Sequence, residues 1–232
     1  MTGPMSRLRE RRLRGDAGIT MVEMMITIFL TMVILGTTGT TMVLGLRGSR
    51  TSMVRTQNTQ DASIILERVT KPLRMAIRPL ANPPTAPFVT GGTPATGTAT
   101  DITFYAAINT IVGTSAPTGP TKYRFYLDTN TGNLIEQVTP VTVSGGTFTW
   151  PASTTVTYTI GTGLTKSQSI FTYTDQDNND LVTLDATEAF TVDSVGLKLS
   201  VDKPSTPDLP PTVLENRVNL PNHSGTFILP TT

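Results

Sequence analysis

The sequence predicts an α+β protein, in which one long N-terminal helix, with a transmembrane first half, packs on a head of antiparallel β-sheet. Three observations lead to this fold class. Residues 19–46 form an apolar run as long as a membrane-spanning helix. Residues 49–78 keep apolar side chains at three- and four-residue spacing, which predicts an amphipathic continuation of the helix. Every later candidate element is a short strand between turn residues, and a helix followed only by strands is an α+β arrangement.

The composition agrees with this fold class and excludes several kinds of site. Charged residues are 15% of the 232 residues and the net charge is +1, so nothing indicates nucleic-acid binding. The chain has no cysteine, which excludes a thiol nucleophile, a redox pair and a thiolate zinc site. The single histidine, His223, excludes a His-rich metal site. We therefore expect no cofactor.

The N-terminal segment, residues 1–18, is a basic leader in front of the apolar run. Its cations are five arginines: Arg7, Arg9, Arg11, Arg12 and Arg14. About 20 apolar residues suffice to cross the hydrocarbon core of a bilayer, and basic residues beside such a span stay in the cytoplasm. The pattern predicts a single-pass protein of the cytoplasmic membrane, with its N-terminus in the cytoplasm and its head outside.

Glu23 stands almost at the start of the apolar run. A charge inside a membrane helix costs about 2.5–3.5 kcal/mol on insertion scales. One interpretation is an uncleaved anchor whose Glu23 lies near the membrane interface. The other is a cut between Gly18 and Ile19, which would create an amino group four residues before Glu23. That amine and the carboxylate could pair within one helix or between neighbouring helices.

The residues around this proposed cut resemble the cleavage and methylation signal of type IV prepilins. They read Gly18-Ile19-Thr20-Met21-Val22-Glu23. The resemblance implies that a prepilin peptidase cuts after Gly18, that Ile19 is N-methylated and that Glu23 acts in assembly. It also implies three kinds of partner, namely other pilin or pseudopilin subunits, an inner-membrane assembly platform and membrane lipid. The chain has Thr40-Thr41 where many major pilins carry a helix-bending proline.

Beyond the membrane segment the sequence predicts an amphipathic helix and then a β-rich head. The amphipathic continuation of the helix lies within the segment 47–80. Its last helical residue is expected to be Arg78, because the residue before Pro79 avoids the α region. A Pro-, Gly- and Thr-rich loop opens the head, residues 81–232. Residues 128–133 are typical of a hairpin turn. The strand candidates are residues 102–108, 123–127, 134–138, 154–160, 169–173, 191–201 and 213–220.

Several segments of the helix and head resemble the larger minor pilins. They are residues 65–76, 169–177, 192–201 and 214–220. The nearest types are the W-type minor pilin and the J-type pseudopilin of type II secretion. The resemblance implies a structural subunit, not an enzyme, in a filament for pilus biogenesis, competence DNA uptake or type II secretion. The alternative is a membrane-anchored, adhesin-like β-domain that never enters a filament.

Two groups of polar residues resemble functional sites. The segment 175–180 has oxygen-bearing side chains at alternate positions, as calcium loops do, and its candidate ligands are Asp175, Asp177 and Asp180. The segment lacks the glycine and the later glutamate of an EF-hand, so a solvated turn, where Asp and Asn are common, is the favoured interpretation. His223 with Ser224 suggests a hydrolase, but the chain has no Gly-x-Ser-x-Gly segment. The sequence leaves open whether Trp150 lies in a core or in a contact surface.

Overall fold

The structure is a computed structural model that describes residues 19–79, 85–91, 95–108, 119–144, 147–202 and 209–221. The chain divides into two compact units, Met1–Ser52 and Met53–Thr232. A single helix, α1 (Met21–Arg74), begins in the first unit and ends in the second. All described strands lie in the second unit. The predicted α+β fold class is confirmed.

In the first unit the described residues are the first half of α1 and the two residues before it. Residues 19–50 are all exposed. The helix includes a stretch long and apolar enough to cross a membrane, and none of that stretch is buried. This finding confirms the predicted helix and agrees with attachment to a membrane.

The second unit contains two antiparallel sheets and a small hairpin. The first sheet has the order β1-β2-β3-β4-β7, the second has the order β11-β10-β8-β9, and β5 pairs with β6. The strands are β1 (Phe88–Val89), β2 (Asp101–Ala106), β3 (Thr121–Asp128), β4 (Asn133–Thr139), β5 (Thr142–Ser144), β6 (Thr147–Thr149), β7 (Val156–Gly161), β8 (Phe171–Asp175), β9 (Asp180–Leu181), β10 (Val192–Val201) and β11 (Thr212–Asn219).

The first sheet buries one face in the core. Along β3 the side chains alternate between buried and half-buried, as expected when the two faces of a strand differ. Tyr123 and Phe125 of β3 are stacked, and each lies with its ring centroid 6.0 Å from that of Phe104 in β2. The second sheet adds Tyr173, whose ring meets Phe88 edge-on and whose hydroxyl donates to the Thr98 carbonyl at 2.9 Å. Both sheets therefore share one hydrophobic core.

The second half of α1 packs on the core through an apolar stripe. Ala62, Ile65, Leu66, Val69 and Leu73 are buried, at the helical spacing that the sequence shows. The apolar spacing in the sequence also predicts that Met53 belongs to this stripe, and that prediction is wrong, because its side chain is 73% exposed. Asn58 and Thr70 are buried instead, and no apolar pattern indicates them.

An ion pair fixes the helix on the first sheet. Arg68 Nη2 lies 2.8 Å from Glu136 Oε2, and Arg68 Nε donates to the same oxygen at 2.8 Å. The guanidinium also lies over the ring of Tyr158, 5.4 Å from its centroid. Glu136 is almost fully buried, so Arg68 compensates a carboxylate that would be costly without a partner.

The helix ends at Arg74, before the predicted Arg78. Pro72 lies in its last turn, where the amides of Met75 and Ala76 already donate to the third residue before them, at 3.1 and 3.0 Å. The chain then pairs with the end of β2. The Ile77 amide donates to the Tyr105 carbonyl, and the Ala107 amide donates to the Met75 carbonyl, both at 2.9 Å. Strand pairing, and not Pro79, therefore stops the helix.

Each of the seven predicted strands has a counterpart in the structure, with shifted ends. The predicted hairpin turn is confirmed between β3 and β4, where Asp128 pairs with Asn133. Its Gly132 has a φ of 74°, a conformation that glycine adopts without steric cost. The sequence missed β1, β5, β6 and β9, because strands of two or three residues are too short for a pattern with a period of two.

Candidate functional site

The candidate assembly residues lie at the start of α1. Gly18 and the arginines of the leader lie outside the described residues, whereas Ile19 and Glu23 are described and exposed. The hydroxyl oxygen of Thr20 accepts a hydrogen bond from the Glu23 amide at 3.2 Å, and the Thr20 carbonyl accepts one from the Met24 amide at 3.1 Å. Thr20 is therefore the N-cap of α1, and Glu23 lies in its first turn.

The first turn of α1 gives the Glu23 carboxylate a local role that the apolar pattern alone does not predict. A carboxylate in the first turn interacts favourably with the positive end of the helix dipole, by about 0.3–1 kcal/mol at an exposed site. The sequence signal for it is Thr20-x-x-Glu23 before an apolar run, which is a capping-box pattern. Here the Ile19 nitrogen belongs to a peptide bond, so the amine–carboxylate pair expected after cleavage remains a prediction.

The helix that follows presents an apolar surface on all sides. Its large apolar side chains are about half to four-fifths exposed, with Met21 at 80%, Phe29 at 67% and Val33 at 47%. Monomeric soluble proteins rarely expose so much contiguous apolar surface. Helices that are hydrophobic all around are covered in use, either by lipid or by other protein. This surface is the most prominent functional feature of the first unit.

The threonines in this apolar stretch do not make it polar. Every threonine of residues 21–46 donates its hydroxyl to a backbone carbonyl one turn earlier. The donors are Thr27, Thr31, Thr37, Thr38, Thr40 and Thr41, over distances of 2.5–3.1 Å. A hydroxyl with an internal partner needs no water. The segment is thus suited to an environment without water, where unsatisfied polar groups are expensive.

The calcium candidates lie in the turn between β8 and β9. One carboxylate oxygen of Asp175 accepts hydrogen bonds from the amides of Asp177 and Asn179 at 2.9 and 2.8 Å, and the other accepts from the Asn179 side chain at 2.9 Å. These bonds lower the pKa of Asp175, the Asn179 side chain contributing most. Both oxygens thus organise the turn, and Asp180 accepts from the Thr174 hydroxyl at 3.5 Å.

The other polar candidates are not brought together. His223 and Ser224 lie outside the described residues. Within the described part of the chain, no group of three or more His, Asp or Glu side chains is placed to hold a metal ion. Trp150 is half-buried, at an edge of the packed structure and not in the core. Its indole nitrogen donates to the Pro120 carbonyl at 2.9 Å, and the centroid of its ring lies 4.5 Å from that of Tyr105.

Comparison with known proteins adds no assignment, since no protein-family model and no curated protein matches this chain.

Proposed function

We propose that this chain is a minor pilin or pseudopilin, a structural subunit of a type IV pilus-like filament, with no catalytic activity of its own. The observation that carries the proposal is the exposed apolar first half of α1, which has a carboxylate, Glu23, in its first turn. Lipid covers this surface before assembly, and the helices of neighbouring subunits cover it in the filament. The α+β fold of the chain is consistent with this role.

The proposal includes a processing step at the start of the helix. A prepilin peptidase cuts the peptide bond after Gly18 on the cytoplasmic side and releases the basic leader. The new amino group on Ile19 is then methylated. Because Ile19 directly precedes the N-cap Thr20, the new positive charge lies within a turn of Glu23. In the membrane each charge lowers the cost of burying the other.

The partners follow from the same role. They are the prepilin peptidase, other pilin or pseudopilin subunits and an inner-membrane assembly platform, with the head carried outside the cytoplasmic membrane. Pilus biogenesis, competence and type II secretion all use filaments of this kind. Cross-linking in cells, followed by identification of the proteins attached to α1, distinguishes among the three systems.

The substitution Glu23→Gln tests the assembly role. The cap bond uses the backbone amide of residue 23, so glutamine keeps the start of the helix and removes only the charge. We expect normal membrane insertion and an at least ten-fold loss of the chain from sheared filaments, measured by quantitative immunoblotting. Glu67→Gln, at an exposed carboxylate later in α1, is the matched control and should assemble normally.

One observation favours the alternative of an anchored β-domain that does not assemble. The position of Glu23 in the first turn of α1, where its carboxylate interacts favourably with the helix dipole, provides a reason for Glu23 that needs no second subunit. In that case Glu23→Gln leaves the amount and location of the chain unchanged, and no fraction of it is found in filaments. This result in cells that assemble filaments would contradict the proposed function.

A further inference from the structure

The outer face of the first sheet, opposite the core, holds a small cavity of about 300 Å³. This volume is at the lower end of the range for ligand pockets, about 300–1,000 Å³. We call it the outer-face cavity. Its chemically important lining residues are Thr103, Lys122, Arg124, Gln137, Thr139 and Trp150.

Strand register places these side chains next to one another. Arg124 of β3 lies opposite Thr103 of β2 on one side and Gln137 of β4 on the other. Lys122 lies opposite Thr139 in the adjacent row of the same face. Tyr123 and Phe125, the neighbours of Lys122 and Arg124 along β3, are buried in the core. Because successive side chains of a strand point to opposite faces, Lys122 and Arg124 share the outer face. The cavity is therefore built on three neighbouring strands of a rigid sheet.

The lining contains two cations, and within the described residues only Arg124 has a carboxylate partner. Arg124 is paired with Asp101, with Nη2 2.6 Å from Oδ2 and Nε within 3.2 Å of both carboxylate oxygens, and its Nη1 donates to Gln137 at 3.4 Å. Lys122 has no ion pair within the described residues. Burial and the neighbouring Arg124 lower the pKa of Lys122. A single negative charge on a bound molecule would balance the site.

A buried hydroxyl in the lining also lacks a partner. Thr103 is only 1% exposed, and its Oγ1 makes no hydrogen bond within the described part of the chain. Buried polar atoms are nearly always hydrogen-bonded, and a missing partner costs about 1–3 kcal/mol. This hydroxyl is able to form a hydrogen bond with a polar group that enters the cavity.

Trp150 adds a flat apolar surface held in place. Its indole N–H donates to the Pro120 carbonyl, and its ring packs near that of Tyr105. The position and the orientation of the ring are therefore already fixed before a ligand binds. Thr139 and Gln137 also line the cavity, where their hydroxyl and amide groups contact the hydroxyls of Thr155 and Thr157 at 2.8 and 3.5 Å. A rigid aromatic ring, a few hydrogen-bonding groups and one available cation together suit a molecule with a ring, hydroxyls and one acid group.

We propose that the outer-face cavity binds a hydroxylated carboxylate the size of one sugar ring, of the uronic acid class. Lys122 pairs with the carboxylate, and Thr103 Oγ1 exchanges a hydrogen bond with a ligand hydroxyl. The ring of the sugar lies against Trp150. The inference concerns only the head and is independent of how α1 is used.

Because Trp150 is the one tryptophan of the chain, its fluorescence reports directly on the cavity. The full-length chain in a sugar-free, uncharged detergent is titrated with glucuronate, and in parallel with glucose, acetate and inorganic phosphate. We expect a saturable change with glucuronate at millimolar concentrations, and at least ten-fold weaker binding of each of the other three. Lys122→Gln should weaken glucuronate binding at least ten-fold, whereas Lys166→Gln, at an exposed lysine outside the cavity, should not.

Thr103→Val provides a second test that a purely structural role would not affect. Valine has nearly the same shape, and the hydroxyl it removes makes no hydrogen bond to any described residue, so the thermal unfolding midpoint should not fall. Glucuronate binding should nevertheless weaken about three-fold to ten-fold. The proposal is overturned if wild type shows no saturable change, if glucose, acetate or phosphate binds as tightly as glucuronate, or if neither Lys122→Gln nor Thr103→Val weakens binding.

Discussion

Single residues decide where the backbone can bend and how closely its segments approach. Gly132 and Gly91 both have a positive φ, of 74° and 69°, but their surroundings differ. A Cβ on Gly132 would lie 2.6 Å from the Leu164 carbonyl oxygen, whereas no atom of the described residues lies within 4 Å of one on Gly91. The Leu164 amide also donates to the Gly132 carbonyl at 3.0 Å. The β3–β4 turn is thus tied to the segment before β8 at a point that tolerates no side chain.

This pair of glycines gives a matched stability test. Gly132→Ala should lower the free energy of unfolding by at least about 2 kcal/mol, from the left-handed conformation and from the contact with backbone that cannot move freely. Gly91→Ala carries only the conformational cost, about 1 kcal/mol. Denaturant titration of both variants measures the difference. Equal losses would mean that the close approach to Leu164 does not contribute.

At the scale of elements, periodic patterns predicted the long segments, and local chemistry set their ends. The strand predicted at residues 191–201, where residues 195–201 alternate between apolar and polar, is β10 at Val192–Val201. The amphipathic pattern predicted the second half of α1 but not its end. That end depends on pairing of residues 75–77 with the end of β2, and sequence spacing carries no information on a partner so far along the chain. The ion pair of Arg68 with Glu136 was missed for the same reason.

The β8–β9 turn predicts a dependence on pH. Hydrogen bonds lower the pKa of Asp175 in the folded chain, whereas an unfolded aspartate has a pKa of about 3.9. The stability that these bonds contribute is complete well above pH 3.9 and is lost as the pH falls through the folded pKa. Asp175→Asn should be less stable than wild type at pH 6, and the difference should shrink towards pH 3.

Unfolding free energies of wild type and Asp175→Asn over this range measure the effect, since other titrating groups cancel in the difference. Asn179→Ala removes the largest cause of the lowered pKa. It should reproduce part of the loss at pH 6. A difference between Asp175→Asn and wild type that stays constant with pH would refute this account of the turn.

At the scale of the whole molecule, the sequence predicted the fold class, the apolar helix and the seven longer strands, because each has a strong periodic signal. It did not predict the outer-face cavity. Lys122, Arg124 and Thr103 are ordinary strand residues in the sequence, and only the register of β2, β3 and β4 brings them to one place. Glu23 was noticed for its unfavourable environment, yet its Thr20 cap was readable from sequence and was missed.

The proposed function makes α1 the assembly helix of a processed filament subunit. This role is best tested by intact-mass and N-terminal analysis of the chain, purified from its native membrane in cells with active prepilin peptidase. We expect a chain that begins with N-methylated Ile19 and lacks residues 1–18. A chain that still carries Arg7 to Arg14 would contradict it, and the protein would then be a membrane-anchored β-domain whose Glu23 serves only the start of its helix.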